Sequence, residues 1–302
     1  MPETPLSNLL NPATLARIDS YSLLARTVVE GFVSGLHRSL YHGFGSEFFQ
    51  YRNYVPGDDL KYIDWKVFGR QDRFYTKVYQ EETNLNCCIV LDASASMDYT
   101  GQDAPCSKFR YACMVAACIA YLANRQGDSV GLYAYNDGLL TSIQPGRSKD
   151  GLTRVLRELQ RLQPTGVADH KHVLNYVAEN FRRRGIVVLI SDLHGAETDL
   201  PRLLKRFRHA HHDSIVLQVL DGEELDFPFS NTTRFLDAES KGEIATAPTL
   251  VREHYLREMQ SFTEGIKDSC LAEQVDYLLM RTDASLGHML AAYLHRREAL
   301  SV

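Results

Sequence analysis

Residues 85–96 read Leu-Asn-Cys-Cys-Ile-Val-Leu-Asp-Ala-Ser-Ala-Ser, an apolar run that ends in one carboxylate and two hydroxyl side chains at alternate positions. The apolar part is typical of a strand buried on both faces, as the strands of a parallel sheet are. Asp92, Ser94 and Ser96 therefore stand where this strand should emerge at the edge of the sheet. Their oxygens are hard ligands that suit Mg²⁺, Mn²⁺ or Ca²⁺, so the pattern predicts a divalent-cation site.

A second apolar run, Ile186 to Ile190, ends in Ser191 and Asp192. If the two strands are parallel, their carboxyl ends lie at the same edge of the sheet, and Asp92 and Asp192 could face one ion. Two carboxylates would bring a dication close to neutrality. Such a centre could accept one more carboxylate, supplied by a partner protein.

Downstream of residue 85 the chain alternates short β-rich runs with longer helical patterns, which predicts an α/β fold with a doubly wound, mostly parallel sheet. Asn136-Asp137-Gly138 predicts an antiparallel hairpin at one sheet edge, and a second hairpin is expected as an insertion near 230–247. The predicted strands are 85–91, 129–135, 139–143, 186–190, 214–220, 232–236, 243–246 and 276–281. The predicted helices run from Ser107 to near Gly127 and over 149–162, 170–184, 200–209, 249–272 and 285–297.

Residues 1–84 have a different pattern and are predicted to form an N-terminal extension, with 85–302 as the main domain. A helix is expected from Ala13 to Leu36. The segment that follows is rich in glycine, aromatic and charged residues, notably at Pro56-Gly57-Asp58 and Trp65. Such a segment either forms a structural turn with buried ion pairs or presents an exposed recognition surface.

The composition argues against several classes of protein. A net charge of −5 argues against a general nucleic-acid binder, which needs an excess of Lys and Arg to neutralise phosphates. No apolar run approaches the roughly 20 residues that cross a bilayer, and the amino-terminal residues lack a signal-peptide pattern, so a cytoplasmic location is expected. The six cysteines include no C-x-x-C pair, and several lie in apolar runs, which predicts reduced core residues.

Several motifs resemble the domain-of-unknown-function family 58 (DUF58), in which a short preamble precedes a von Willebrand factor type A domain. Asp92-Ala93-Ser94-Ala95-Ser96 resembles the first motif of a metal-ion-dependent adhesion site, and Ser191-Asp192 is similar to its third motif. The resemblance covers most of the chain and implies a von Willebrand factor type A-like fold with Mg²⁺, Mn²⁺ or Ca²⁺ at these residues. The motifs that resemble the preamble are Glu47-Phe48, Arg52-Asn53-Tyr54, Pro56-Gly57-Asp58, Ile63-Asp64-Trp65, Arg70 and Glu81-Glu82.

The second motif of the adhesion site departs from the family pattern. Family members usually place a Thr on the metal from a Gly-Gly-Thr-Asp loop, whereas the corresponding loop here runs from Pro164 to Asp169 and reads Pro-Thr-Gly-Val-Ala-Asp. The expected Thr falls at Ala168, which has no side-chain oxygen. Thr165, Asp169 or a retained water could take its place, since Mg²⁺ tolerates several bound waters.

The family resemblance implies a non-enzymatic protein-interaction module, in which an acidic residue of a partner protein completes the metal coordination. Family members are often encoded beside MoxR-type AAA+ ATPases, which implies an adaptor or co-chaperone role with the ATPase or its client as partner.

Two alternatives stay open: a hydrolase that uses Ser94 or Ser96 with His194, and a structural scaffold with an empty metal site. The basic clusters Arg182-Arg183-Arg184 and Arg202 to Arg208 lie near predicted helix ends, where they are either solvated or in contact with an acidic partner.

Overall fold

The computed structural model describes residues 12–37, 50–53, 67–69, 74–78, 85–146, 150–231, 233–236 and 242–300. Ahead of residue 85 these include two helices, α1 (Pro12–Leu15) and α2 (Tyr21–His37), and an antiparallel pair of strands, β1 (Gln50–Asn53) and β2 (Tyr75–Val78). Most of the preamble motifs lie outside the described residues, so both interpretations of that segment stay predictions. The motifs outside are Glu47-Phe48, Tyr54, Pro56-Gly57-Asp58, Ile63-Asp64-Trp65, Arg70 and Glu81-Glu82.

The predicted helix from Ala13 to Leu36 is wrong in one respect, because it is interrupted between α1 and α2. A new helix begins after Ser20, whose hydroxyl oxygen accepts a hydrogen bond of 3.4 Å from the Leu23 backbone N–H. Side chains of this kind favour helix starts over helix interiors. The buried apolar residues of α2 belong to the same core as the main domain, while the domain boundary at residue 84 stays a prediction.

Eight strands beyond residue 85 lie close to the predicted positions, and six of them form the central sheet. The strands beyond residue 85 are β3 (Asn86–Asp92), β4 (Ser129–Tyr135), β5 (Leu139–Ile143), β6 (Gly185–Ser191), β7 (Asp213–Leu220), β8 (Thr233–Leu236), β9 (Glu243–Thr246) and β10 (Asp276–Arg281). The sheet order is β10-β7-β6-β3-β4-β5, and all pairs are parallel except β4 with β5. The predicted α/β fold class, a doubly wound and mostly parallel sheet with one antiparallel edge strand, is confirmed, as is the hairpin of β8 and β9.

Helices cover both faces of this sheet. They are α3 (Lys108–Arg125), α4 (Gly151–Arg161), α5 (His170–Asn180), α6 (Leu200–His209), α7 (Gly222–Asp226), α8 (Pro248–Ala272) and α9 (Gly287–Leu300). Side chains of β3 alternate between two cores, with Ile89 among α2, α3, α4 and α9 and Val90 among α5, α6 and α8. Among the described helices, none combines the length and the apolar character that spanning a membrane requires.

Helix α5 ends four residues earlier than predicted. Phe181 leaves the helix and is buried, with its ring stacked on His212 at a centroid distance of 4.5 Å. Burial of this ring therefore overrides the helical pattern of the next three arginines. None of the six cysteines, all of which the structure describes, forms a disulfide, and all except Cys106 are buried, so the prediction of core positions is confirmed for five of them.

The strand order fixes where a ligand would bind. From β3 the chain proceeds to β4 and β5 on one side, and from β6 it proceeds to β7 and β10 on the other side. The connections thus diverge between β3 and β6, and open α/β sheets bind ligands outside the carboxyl ends of the strands at such a switch point. Asp92 and Ser191 are the last residues of these two strands.

Candidate functional site

The carboxyl ends of β3 and β6 bring the two predicted loops together. Ser191 Oγ donates a hydrogen bond of 2.6 Å to Asp92 Oδ2, although the two residues are far apart in the sequence. Asp192 follows directly, and all three side chains are buried. The two strand ends therefore meet at one point, as expected for adjacent parallel strands.

The loop after β3 presents two hydroxyls with a spacing that suits a small cation. Asp92 Oδ1 accepts a hydrogen bond of 2.8 Å from the Ser94 backbone N–H, which folds the loop back over the carboxylate. Ser94 Oγ and Ser96 Oγ are 3.1 Å apart. Neighbouring ligands of an octahedral Mg²⁺ are also about 3 Å apart, given metal–oxygen distances of about 2.1 Å. The donor set and spacing fit a hard dication.

Asp92 is a completely buried carboxyl group that is held by neutral hydrogen-bond donors. Its oxygens accept hydrogen bonds from Ser94 and Ser191, which are neutral groups, and it forms no ion pair with any residue that the structure describes. Burial, together with the nearby charge of Asp192, raises the pKa of the Asp92 carboxyl above its ordinary value. A cation beside this carboxylate would offset both effects.

Asp192 is balanced by a lysine that the sequence analysis missed. Lys108 Nζ lies 2.9 Å from Asp192 Oδ2 and 2.8 Å from Glu224 Oε1, and the Lys108 and Asp192 side chains are each 1% exposed. Burial acts to raise the pKa of Asp192, but the positive charge of Lys108 outweighs it, so this pKa lies well below its ordinary value. Burial likewise opposes the charge on Lys108, yet the two carboxylates raise its pKa. This trio is ionised at neutral pH.

Lys108 and Glu224, which the sequence analysis did not identify, are each positioned by the start of a helix. Lys108 is the first residue of α3, directly after Ser107, whose Oγ accepts a hydrogen bond from the Arg110 backbone N–H. A lysine at this position is unfavourable with respect to the helix dipole, which is a signal that its charge is used elsewhere. Glu224 lies in α7, where its Oε2 accepts a hydrogen bond of 2.7 Å from the Asp221 backbone N–H in a capping box.

The loop from Pro164 to Asp169 docks on the loop after β3. Thr165 N–H donates to the Ala93 carbonyl over 2.8 Å, and Ala95 N–H donates to the Gly166 carbonyl over 2.9 Å. These backbone bonds hold the loop beside Ser94 and Ser96, so the structure brings the second motif to the same edge as the first. The loop therefore belongs to the Asp92 side of the site.

Thr165 and Asp169, the two predicted substitutes for the missing Thr, each accept a hydrogen bond within the chain, which would be lost if the side chain turned towards a cation. Thr165 Oγ1 accepts a hydrogen bond of 3.3 Å from Asn136 Nδ2. Asp169 Oδ1 caps α5, since it accepts a hydrogen bond of 2.8 Å from the His172 backbone N–H. Ala168 is half-buried and packs against the core on the α5 side of the sheet. Thr165 and Asp169 thus each have a structural role here.

His194, the base of the hydrolase alternative, contacts Phe262 and Glu224. Its ring stacks on Phe262 at a centroid distance of 5.1 Å, and its Nε2 lies 3.7 Å from Glu224 Oε1. Within the described structure, Ser94 and Ser96 bond to each other and neither hydroxyl bonds to His194. The hydrolase alternative would require one of these hydroxyls to bond to His194, and it stays a prediction.

Comparison with known proteins gives relatives for most of the chain. The uncharacterized protein Rv1480 of Mycobacterium tuberculosis is 27% identical over 278 residues, which cover 90% of this chain and 86% of that protein. The structure of the conserved hypothetical protein BatB from Bacteroides thetaiotaomicron superposes with a TM-score of 0.49 at 18% identity, covering 72% of this chain and 100% of the chain in that structure. The SpRpn10 VWA domain superposes with a TM-score of 0.39 at 14% identity, covering 69% of this chain and 94% of that domain.

A family model also matches most of the chain. The model of the family described as "Protein of unknown function DUF58" matches residues 50–264, which is well over half of the chain and includes both strand-end loops. The protein belongs to the DUF58 family.

Proposed function

We propose that this protein is a non-enzymatic interaction module whose binding surface is the edge of the sheet at β3 and β6. Asp92, Ser94 and Ser96 would hold a divalent cation there, and an acidic residue of a partner protein would complete the site. The observation that carries the proposal is the buried Asp92 carboxylate, which forms no ion pair with a described residue and whose loop carries two hydroxyls 3.1 Å apart. Mg²⁺, when bound, supplies positive charge and an open position for an external oxygen.

The charges of the site favour binding of a cation by the chain and of a partner carboxylate by that cation. Asp192 and Glu224 share the single ammonium of Lys108, and the nearby buried Asp92 carboxyl adds a further negative charge when it ionises, so the group holds uncompensated negative charges. A dication would neutralise them. A partner carboxylate would then find a metal-bearing edge that does not repel it.

We further propose a MoxR-type AAA+ ATPase, or its client, as the partner, and an adaptor or co-chaperone role in complex assembly. The support is the DUF58 family pattern in which such genes lie together. A cytoplasmic location is part of this proposal, and the absence of a disulfide among the six cysteines, all of them in the described structure, is consistent with a reducing compartment.

The test is binding of the purified MoxR-type ATPase from the same genome by wild type and by Asp92→Asn at constant Mg²⁺. Chelation would be ambiguous because the ATPase also needs Mg²⁺ for its nucleotide. We expect at least a tenfold loss of affinity, on the order of 1.4 kcal/mol.

The matched control is Asp98→Asn, which removes the same charge from an exposed position in the same loop and should bind as wild type does. Equal affinity of Asp92→Asn and wild type would reject the cation-dependent mode of binding. Loss of binding in both variants would instead indicate a general electrostatic attraction.

A further inference from the structure

The Lys108 ammonium stands where a cation would otherwise neutralise Asp192. We infer that Lys108 and a divalent cation compete for the Asp192 carboxylate, and that Glu224 retains the ammonium when the cation binds. Lys108 then sets the affinity of the site for the cation, and Glu224 determines how readily the Lys108 ammonium moves away from Asp192. The inference rests on the proposed function, since it concerns the same cation site.

Both oxygens of Asp192 are already in use within the chain. Oδ2 accepts the 2.9 Å hydrogen bond from Lys108 Nζ, and Oδ1 accepts a hydrogen bond of 3.2 Å from the His194 backbone N–H. The Asp192 and Lys108 side chains are almost completely buried, so water does not screen the ammonium from a cation nearby. A dication that approached Asp192 would therefore meet the repulsion of Lys108 directly.

Glu224 gives the ammonium a second position. Its Oε1 is 2.8 Å from Lys108 Nζ, as close as the contact with Asp192. Its other oxygen is fixed by the Asp221 backbone N–H in the capping box of α7, so the carboxylate stays in place if Lys108 moves towards it. Glu224 is 16% exposed, whereas Asp192 is 1% exposed, so a charge pair on that side is better solvated.

The experiment is a calorimetric Mg²⁺ titration of the full chain without a partner, combined with the Mg²⁺ dependence of its thermal unfolding. Competition predicts at least a tenfold higher affinity in Lys108→Met. It predicts a severalfold lower affinity in Glu224→Gln, because Lys108 would then pair with Asp192 alone. A mere effect of net charge is controlled by Lys171→Met, which removes a charge from a side chain that is 59% exposed and should leave the affinity unchanged.

The double variant separates competition from independent charge effects. If Glu224 acts by holding Lys108, Glu224→Gln should change Mg²⁺ affinity little in the Lys108→Met background. An equal effect in both backgrounds would overturn the inference, as would unchanged affinity in Lys108→Met. Should Lys108→Met fold only when Mg²⁺ is present, the inference is supported. Should it not fold at all, Glu224→Gln decides, and an unchanged affinity there overturns the inference.

The outcomes also distinguish this inference from the proposed function. Mg²⁺ binding by wild type that Lys108→Met does not alter would overturn the inference and leave the cation site standing. Mg²⁺ binding by Lys108→Met alone would support the inference and reject a cation site in the natural chain. Absence of Mg²⁺ binding in both proteins would reject both.

Discussion

Asp92 and Asp192 are the same residue type at the ends of neighbouring parallel strands, and both are buried, yet their surroundings differ. Asp92 is held by the hydroxyl of Ser191 and a backbone N–H, whereas Asp192 is held by the ammonium of Lys108. The chain balances one of the two charges and leaves the other unbalanced among the described residues. Under the proposed function, Asp192 stabilises the site and Asp92 holds the ligand.

The physical basis is the cost of a buried charge. A buried carboxylate that is paired and hydrogen-bonded is tolerated, whereas an unpaired one opposes folding and shifts its pKa. Burial raises the pKa of Asp92, while Lys108 overcomes the effect of burial at Asp192. A position that opposes folding in this way is a good candidate for function.

The largest expected effect is on stability, and it should separate the two aspartates. Asp192→Asn removes one partner of a buried ion pair, and such changes cost about 3 kcal/mol or more. Glu224 still contacts Lys108, which places the expected loss at about 3 kcal/mol, the lower end of that range. Asp92→Asn removes an unbalanced charge and should change the free energy of unfolding by less than about 1 kcal/mol. Urea unfolding at pH 7 with a chelator measures both.

Equal losses in the two variants would break the comparison, because they would show that both carboxylates are structural. A large loss only in Asp92→Asn would reverse the assignment. Asp98→Asn, at an exposed position, should unfold as wild type does.

The pH dependence should differ in sign between the two aspartates. The pKa of Asp192 is lowered in the folded protein, so its contribution to stability is present above the ordinary value of 3.8 and is lost as the pH falls through the folded value. The pKa of Asp92 is raised, so the folded protein loses stability relative to the unfolded chain as the pH rises above that same value towards the folded one.

Unfolding of three proteins in chelator, from pH 4 to pH 7, measures this difference. Relative to wild type, Asp92→Asn should gain stability as the pH rises, because it lacks the penalised charge. The deficit of Asp192→Asn should stay nearly constant over that range and shrink only in stronger acid. Parallel curves for the two variants would contradict the assignment of the two environments.

The fold was accessible from the sequence because its signals are local. The bounds predicted for α6 match the structure, since Pro201 at its first turn and the apolar spacing mark it clearly. Asn136-Asp137-Gly138 marked the antiparallel edge by its turn chemistry. The convergence of Asp92 and Asp192 followed from the geometry of parallel strands alone.

The partner of Asp192 was not accessible in the same way. Lys108 and Glu224 lie 116 residues apart, and no periodicity connects them. Lys108 had a weak signal as a cation at a helix start, and Asp221 with Glu224 had the spacing of a capping box. Neither pattern predicts that Lys108 contacts Glu224. Ion pairs between distant segments depend on the tertiary fold, which sequence patterns do not resolve.

The smallest expected effect concerns Ala168, on the Asp92 side of the site. Its loop is bonded to the backbone of Ala93 and Ala95, so Ala168→Thr tests whether a hydroxyl at this position reaches the oxygens of Ser94 and Ser96. Ala168→Thr should raise Mg²⁺ affinity by up to about tenfold, or about 1.4 kcal/mol, because a chain oxygen replaces a bound water. Calorimetric titration measures the change.

Ala168→Val is the matched control, since Val has the shape of Thr but a methyl group in place of the hydroxyl. If Thr and Val have equal effects on Mg²⁺ affinity, position 168 does not reach the cation, and the Asp92 side consists of Asp92, Ser94 and Ser96 alone. If only Thr raises the affinity, the alanine itself limits cation binding. In that case the natural chain holds its cation weakly from the Asp92 side as well as from the Asp192 side, where Lys108 already opposes it.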